Sequence, residues 1–82
     1  MGELLKLFTK VKTTAQADEL LKDLLTKREL NSVCERLQIF KMLIKKASQR
    51  KVSKSLKVSI SKVTRGAHAL QKSKSMLKKV LG

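Results

Sequence analysis

Apolar residues recur along this chain at the three- and four-residue spacing of helices, not at the alternation of strands. Leu4, Leu5, Leu7 and Phe8 predict a first amphipathic helix ending near Lys12, where Thr13 and Thr14 offer an N-cap for a second helix from about Ala15 to Leu25. Thr26-Lys27-Arg28-Glu29 has the spacing of a capping box, in which the Thr hydroxyl meets an orphan backbone N–H and the Glu side chain reaches back to the cap. A long helix starts there. Leu30, Val33, Cys34, Leu37, Phe40 and Ile44 form one continuous stripe along it, and Ile39, Met42 and Leu43 widen that stripe past one face. Apolar residues on more than one face require a second partner, and in so small a chain another copy of the same helix supplies it.

From Ser48 the elements shorten. Ser48 caps a short helix with Val52 and Leu56 on its inner face and the small Ser53 beside them, where a following helix can approach closely. Lys57-Val58-Ser59 forms the turn, and Ser59 caps a helix with Ile60, Val63, Ala67 and Leu70 on one side and Ser61, Arg65, His68 and Lys72 on the other. These spacings predict a helix-turn-helix whose second helix is presented to the major groove. Lys57 stands where such a turn favours Gly for a left-handed backbone, at a cost of roughly 1 kcal/mol. Met76, Leu77, Val80 and Leu81 predict a last short helix closing over the domain. Proline is absent and Gly occurs only at positions 2, 66 and 82, so helix is the default. The expected fold is all-α: a single small domain over 1–82, with dimerisation helices in 1–46, the helix-turn-helix in 48–70 and the closing helix in 73–81.

Charge sharpens the picture. The chain carries 20 Lys plus Arg against 6 Asp plus Glu, a formal charge of +14. All six acids, Glu3, Asp18, Glu19, Asp23, Glu29 and Glu35, precede position 36, so the first 35 residues balance and the remaining 47 carry 14 bases without one carboxylate. Such a surface favours polyanionic partners. With two Phe and neither Tyr nor Trp, the chain lacks the rings on which single strands stack, which favours duplex DNA. Cys34 is the only cysteine, which excludes an intramolecular disulfide, fits a reducing cytosol and, on the apolar stripe, reads as a small buried hydrophobe. Met42 and Met76 read as core filler. The start lacks a basic segment followed by an apolar run, and charged residues interrupt every apolar stretch, so a cytoplasmic protein without a membrane partner is expected. His68, the only histidine, cannot build a metal site alone and is expected to face solvent or phosphate. No catalytic constellation emerges, since there is no second His and no acid after Glu35, and no cofactor or enzyme activity is expected.

Leu24-Leu25-Thr26, Glu35-Arg36-Leu37, Ser48-Gln49-Arg50 and Val63-Thr64-Arg65-Gly66 stand in an order and spacing that resemble the bacterial tryptophan repressor family over residues 20–81. The link before Ser48 is one residue shorter than in the best-known members. The resemblance implies an intertwined homodimer that binds L-tryptophan as corepressor and then a palindromic operator controlling tryptophan biosynthesis or salvage genes. It implies that Arg36 and Arg65 sandwich the indole, which suits a planar, permanently charged guanidinium. Arg65 would also fork onto the carboxylate, Thr26 would reach the polar end of the amino acid, and carbonyls near Asp23 and Leu25 would take the ammonium. Gly66 would let the indole lie against the helix, and Ala69 stands where well-studied members place a serine.

For DNA the resemblance implies Gln49 and Arg50 at the start of the first motif helix and Ile60, Ser61, Lys62 and Thr64 in the opening turns of the second. Arg50 suits a guanine edge or a phosphate, and Ser59, Lys54, Lys57 and Lys62 suit phosphates. Lys62 and Ser53 depart from the family pattern. Two other functions fit the composition: a ligand-independent relative regulating other genes, and a sequence-blind basic protein coating RNA or DNA.

Overall fold

The computed structural model describes residues 1–72 and 76–81. It contains α1 (Gly2–Thr9), α2 (Thr14–Leu24), α3 (Lys27–Ile44), α4 (Gln49–Leu56), α5 (Ile60–Lys72) and α6 (Met76–Leu81), and no strand among the described residues. The all-α fold class holds. The chain divides into two compact units, Met1–Ser32 and Val33–Gly82.

In the first unit, side-chain caps set the helix boundaries. The Thr13 hydroxyl accepts from the Gln16 N–H at 3.1 Å, which starts α2, and Gln16 Oε1 accepts from the Lys12 N–H at 2.9 Å. Leu25 turns extended and ends α2. The capping box then opens α3 as the sequence predicts: Glu29 N–H donates to the Thr26 hydroxyl at 3.1 Å while Thr26 N–H donates to Glu29 Oε1 at 2.8 Å. The Thr26 backbone N–H, and then its hydroxyl, favour the charged form of Glu29 and hold its carboxyl below the usual glutamate value. Neither α1 nor α2 contains a buried residue, and Leu4, Leu5, Leu7 and Phe8 remain 40 to 57% exposed.

The core of the second unit is Ile39 of α3 with Val52 of α4 and Val63 of α5, surrounded by half-buried Met42, Leu43, Ala47, Leu56 and Val58. It lies on the flank of the α3 stripe. Val33 and Leu37 stay exposed, and so does Cys34, which corrects the expectation of a buried thiol: the flank holding Ile39, not the Cys34 face, turns toward α4 and α5.

Two lysines close the helix ends of this unit. Lys46 adopts φ 71° after α3, with its own N–H bonded to the Leu43 carbonyl and the Ala47 N–H bonded to the Met42 carbonyl, a Schellman closure without glycine. Lys57 adopts φ 56°, ψ 45° after α4, the left-handed conformation expected there. Ser53 clamps the turn. Its carbonyl accepts from the Val58 N–H at 3.2 Å and its hydroxyl donates to the Val58 carbonyl at 2.6 Å. Ser48 caps α4 through the Lys51 N–H, and Ser59 caps α5 through the Lys62 N–H.

Three apolar positions differ from expectation. Ile60 is half exposed, because the inner row of α5 runs through Val63, Gly66 and Leu70. Met76 and Val80 are 77% and 69% exposed, so Met76 is not core filler. In α6 the half-buried row is Leu77 and Leu81, and Met76 and Val80 form the neighbouring row that faces outward. A last helix is present over Met76–Leu81, while positions 73–75 lie outside the described residues.

Candidate nucleic-acid and ligand sites

The first turn of α4 is held on α5 by a side-chain bond. Thr64 Oγ1 donates toward Gln49 Oε1 at 3.0 Å and lies 2.9 Å from the Ile60 carbonyl, so its one hydroxyl proton is committed within the protein. Gln49 spends its acceptor here and keeps its amide N–H groups as donors. Arg50, Lys54, Lys57, Ser59, Ile60, Ser61 and Lys62 are exposed around this junction. Ser59 uses its oxygen as a cap, and Lys62 Nζ lies 2.9 Å from Glu35 Oε1. That ion pair was not legible in the sequence, since its members stand 27 positions apart.

Glu35 and Ile39 are one turn apart on α3, and their respective partners Lys62 and Gly66 are one turn apart on α5. The two helices therefore approach each other at Ile39 and Gly66, with the Glu35–Lys62 pair one turn earlier on each. Gly66 is buried, and a Cβ on it would lie 2.9 Å from Ile39 Cγ2 and 3.7 Å from Phe40 Cε1. Its missing side chain thus serves helix packing, a role the sequence did not reveal. Arg36 follows Glu35 on α3, and Arg65 and Ala69 share a row of α5; all three are exposed. Among the described residues neither arginine has an ion-pair partner. His68 is exposed.

Leu25 and Thr26 belong to the first unit, Leu25 half-buried and Thr26 exposed. The Thr26 oxygen accepts from the Glu29 N–H and its hydroxyl also favours the charged Glu29 carboxylate, so both of its hydrogen-bonding roles are used within the capping box. A cleft of about 430 Å³ lies elsewhere in the second unit, lined by Leu43, Ile44, Lys46, Ala67, Leu70, Gln71 and Lys78. None of these belongs to the expected ligand set. No helix among the described residues is long and apolar enough to cross a membrane.

Compared with known proteins, residues 1–82 match the family model described as Trp repressor protein. The chain belongs to the Trp repressor family. Its members are transcription regulators, so this is a Trp-repressor-family regulator and not an enzyme. It is similar to the Trp operon repressor homologs of the Temecula1 and 9a5c strains of Xylella fastidiosa, 38% identical over 69 residues, which cover 83% of this chain and 75% of each relative. No solved structure matches the chain.

Proposed function

We propose that this protein is a cytoplasmic, homodimeric repressor that binds L-tryptophan as corepressor and then a palindromic operator of tryptophan biosynthesis or salvage genes. One domain over 1–82 carries both tasks, with 1–46 for dimerisation, 48–70 as the DNA-binding helix-turn-helix and 73–81 as its closing segment. The observation that carries this reading is the bond between Gln49 and Thr64. It supports a single DNA-facing surface in which Gln49 and Arg50 of α4 accompany Ile60 and Ser61 of α5 into one groove. The uncovered apolar residues of α1 and the α3 stripe support a second copy as partner.

A two-fold dimer must set its recognition helices about 34 to 36 Å apart. Tryptophan held by Leu25, Thr26, Arg36, Arg65, Gly66 and Ala69 fixes that spacing, and shifts the equilibrium only by its differential affinity for the competent state. With about eight phosphates neutralised per dimer, log K falls against log salt with a slope near −7.

The chain contains neither Trp nor Tyr, so indole emission reports the ligand alone. Titrating protein into L-tryptophan gives a saturable shift in emission wavelength and anisotropy that Arg36→Ala and Arg65→Ala both abolish. Selection from a random duplex library with and without tryptophan then yields a two-fold-symmetric site enriched only with ligand. Enrichment without ligand leaves a ligand-independent regulator, and uniform binding of all sequences leaves a sequence-blind basic protein.

A further inference from the structure

Glu35 is the only carboxylate among residues 33–82, a stretch that carries 14 bases, and it lies 2.9 Å from the ammonium of Lys62 in the first turn of α5. The pair is wet, the Lys62 and Glu35 side chains being 57% and 38% exposed. The backbone positions that carry it are nonetheless anchored. One turn beyond Glu35, Ile39 is buried against Gly66, and Val63 beside Lys62 is fully buried. The packing of α3 on α5 thus places the two charged groups within reach of each other before any DNA arrives. Of the bases around the opening of α5, this one has its own counter-anion built into the protein.

Resting on the DNA-binding reading above, we propose that Glu35 withholds the Lys62 ammonium from DNA phosphate and so lowers the sequence-independent part of the affinity. A cation that neutralises a phosphate releases about 0.9 of a counterion, whereas a cation already neutralised by a protein carboxylate releases none. Lys62 therefore adds nothing to the salt dependence while Glu35 faces it. Since α5 opens with Ile60 and Ser61, drawing Lys62 back to α3 leaves base-edge contacts a larger share of the binding than a further phosphate clamp allows.

The test measures binding of the full chain to a fluorescent random-sequence duplex from low to moderate salt, with the fold of each variant checked by circular dichroism. Glu35→Gln steepens the log–log salt slope by about 0.9 per chain and tightens binding at low salt roughly twofold to fivefold per chain. Lys62→Met in the otherwise unchanged chain leaves the slope at its starting value, and in that background Glu35→Gln no longer steepens it. Three results overturn the proposal: a Glu35→Gln slope equal to the starting one, a steepening that survives Lys62→Met, or a slope that falls on Lys62→Met alone. The last needs no Glu35 variant and decides the matter even if Glu35→Gln does not fold. Should the unaltered chain bind no duplex, the DNA reading falls and takes this proposal with it; should it bind with one of those three results, this proposal falls alone.

Discussion

Gly66 on α5 faces Ile39 Cγ2 on α3 so closely that a Cβ would approach it to 2.9 Å. Ile39 is buried and β-branched, so its methyl cannot swing aside without leaving a preferred rotamer. In an isolated helix Gly66→Ala gains about 1 kcal/mol of propensity. Here overpacking costs about 1 to 3 kcal/mol and outweighs it. The variant therefore melts at a lower temperature than the parent at equal protein concentration, followed by circular dichroism; an unchanged or higher midpoint contradicts the packing role.

Lys46 and Lys57 hold left-handed backbone at φ 71° and 56°. Lys46→Gly and Lys57→Gly each relieve up to about 1 kcal/mol of that penalty and raise the melting midpoint, whereas the corresponding alanine variants bring no relief. For Lys57→Gly the same experiment has a second readout. A phosphate contact at Lys57 predicts that stability rises while duplex affinity falls and the salt slope shallows by about 0.9 per chain.

Thr26→Ala removes the cap of α3 and costs about 1 kcal/mol in denaturant unfolding. The pH dependence follows from Glu29, whose carboxyl is held below its ordinary value of 4.5 by the Thr26 backbone N–H and then the Thr26 hydroxyl. The folded state thus binds fewer protons at this group than the unfolded chain. The stabilisation is complete above 4.5 and is lost as pH falls below it, through the lower folded value. Glu29→Gln, which keeps an acceptor but carries no charge, flattens the stability profile across that acidic window by lowering neutral stability toward the acid value, so that variant and parent converge at low pH.

Thr64→Val keeps the shape of the side chain and deletes the proton shared between Gln49 and the Ile60 carbonyl. The stability loss is about 0.5 to 1.5 kcal/mol. Duplex affinity falls as well, because Gln49 is no longer registered against α5. Fluorescence anisotropy on a fixed duplex checks this, and an unchanged dissociation constant removes Thr64 from the positioning of α4.

Capping chemistry made most of the fold legible. Thr13, Thr26, Ser48 and Ser59 each accept the N–H three residues on, so hydroxyls marked every helix start from α2 to α5. Helix ends were less legible where no glycine marks them: Lys57 was found through the motif spacing, but nothing local distinguishes Lys46 from its neighbours. The face of α3 that meets α5 was not legible either, because apolar residues nearly surround that helix and periodicity alone cannot choose among them. For that reason periodicity places Cys34 inside although it is exposed, and the contact of Gly66 with Ile39 has no signal in the sequence. The Glu35–Lys62 pair depends on tertiary approach over 27 intervening sequence steps and has no local signature.

The Ile39–Gly66 contact also limits how α5 can move. Side chains stand on both sides of Gly66 along its helix, so a small axial slip carries Ile39 out of the only gap in that row and into a Cβ. The gap behaves as a notch that sets the register of α5 against α3, because Ile39 fits opposite the one residue of that row without a Cβ.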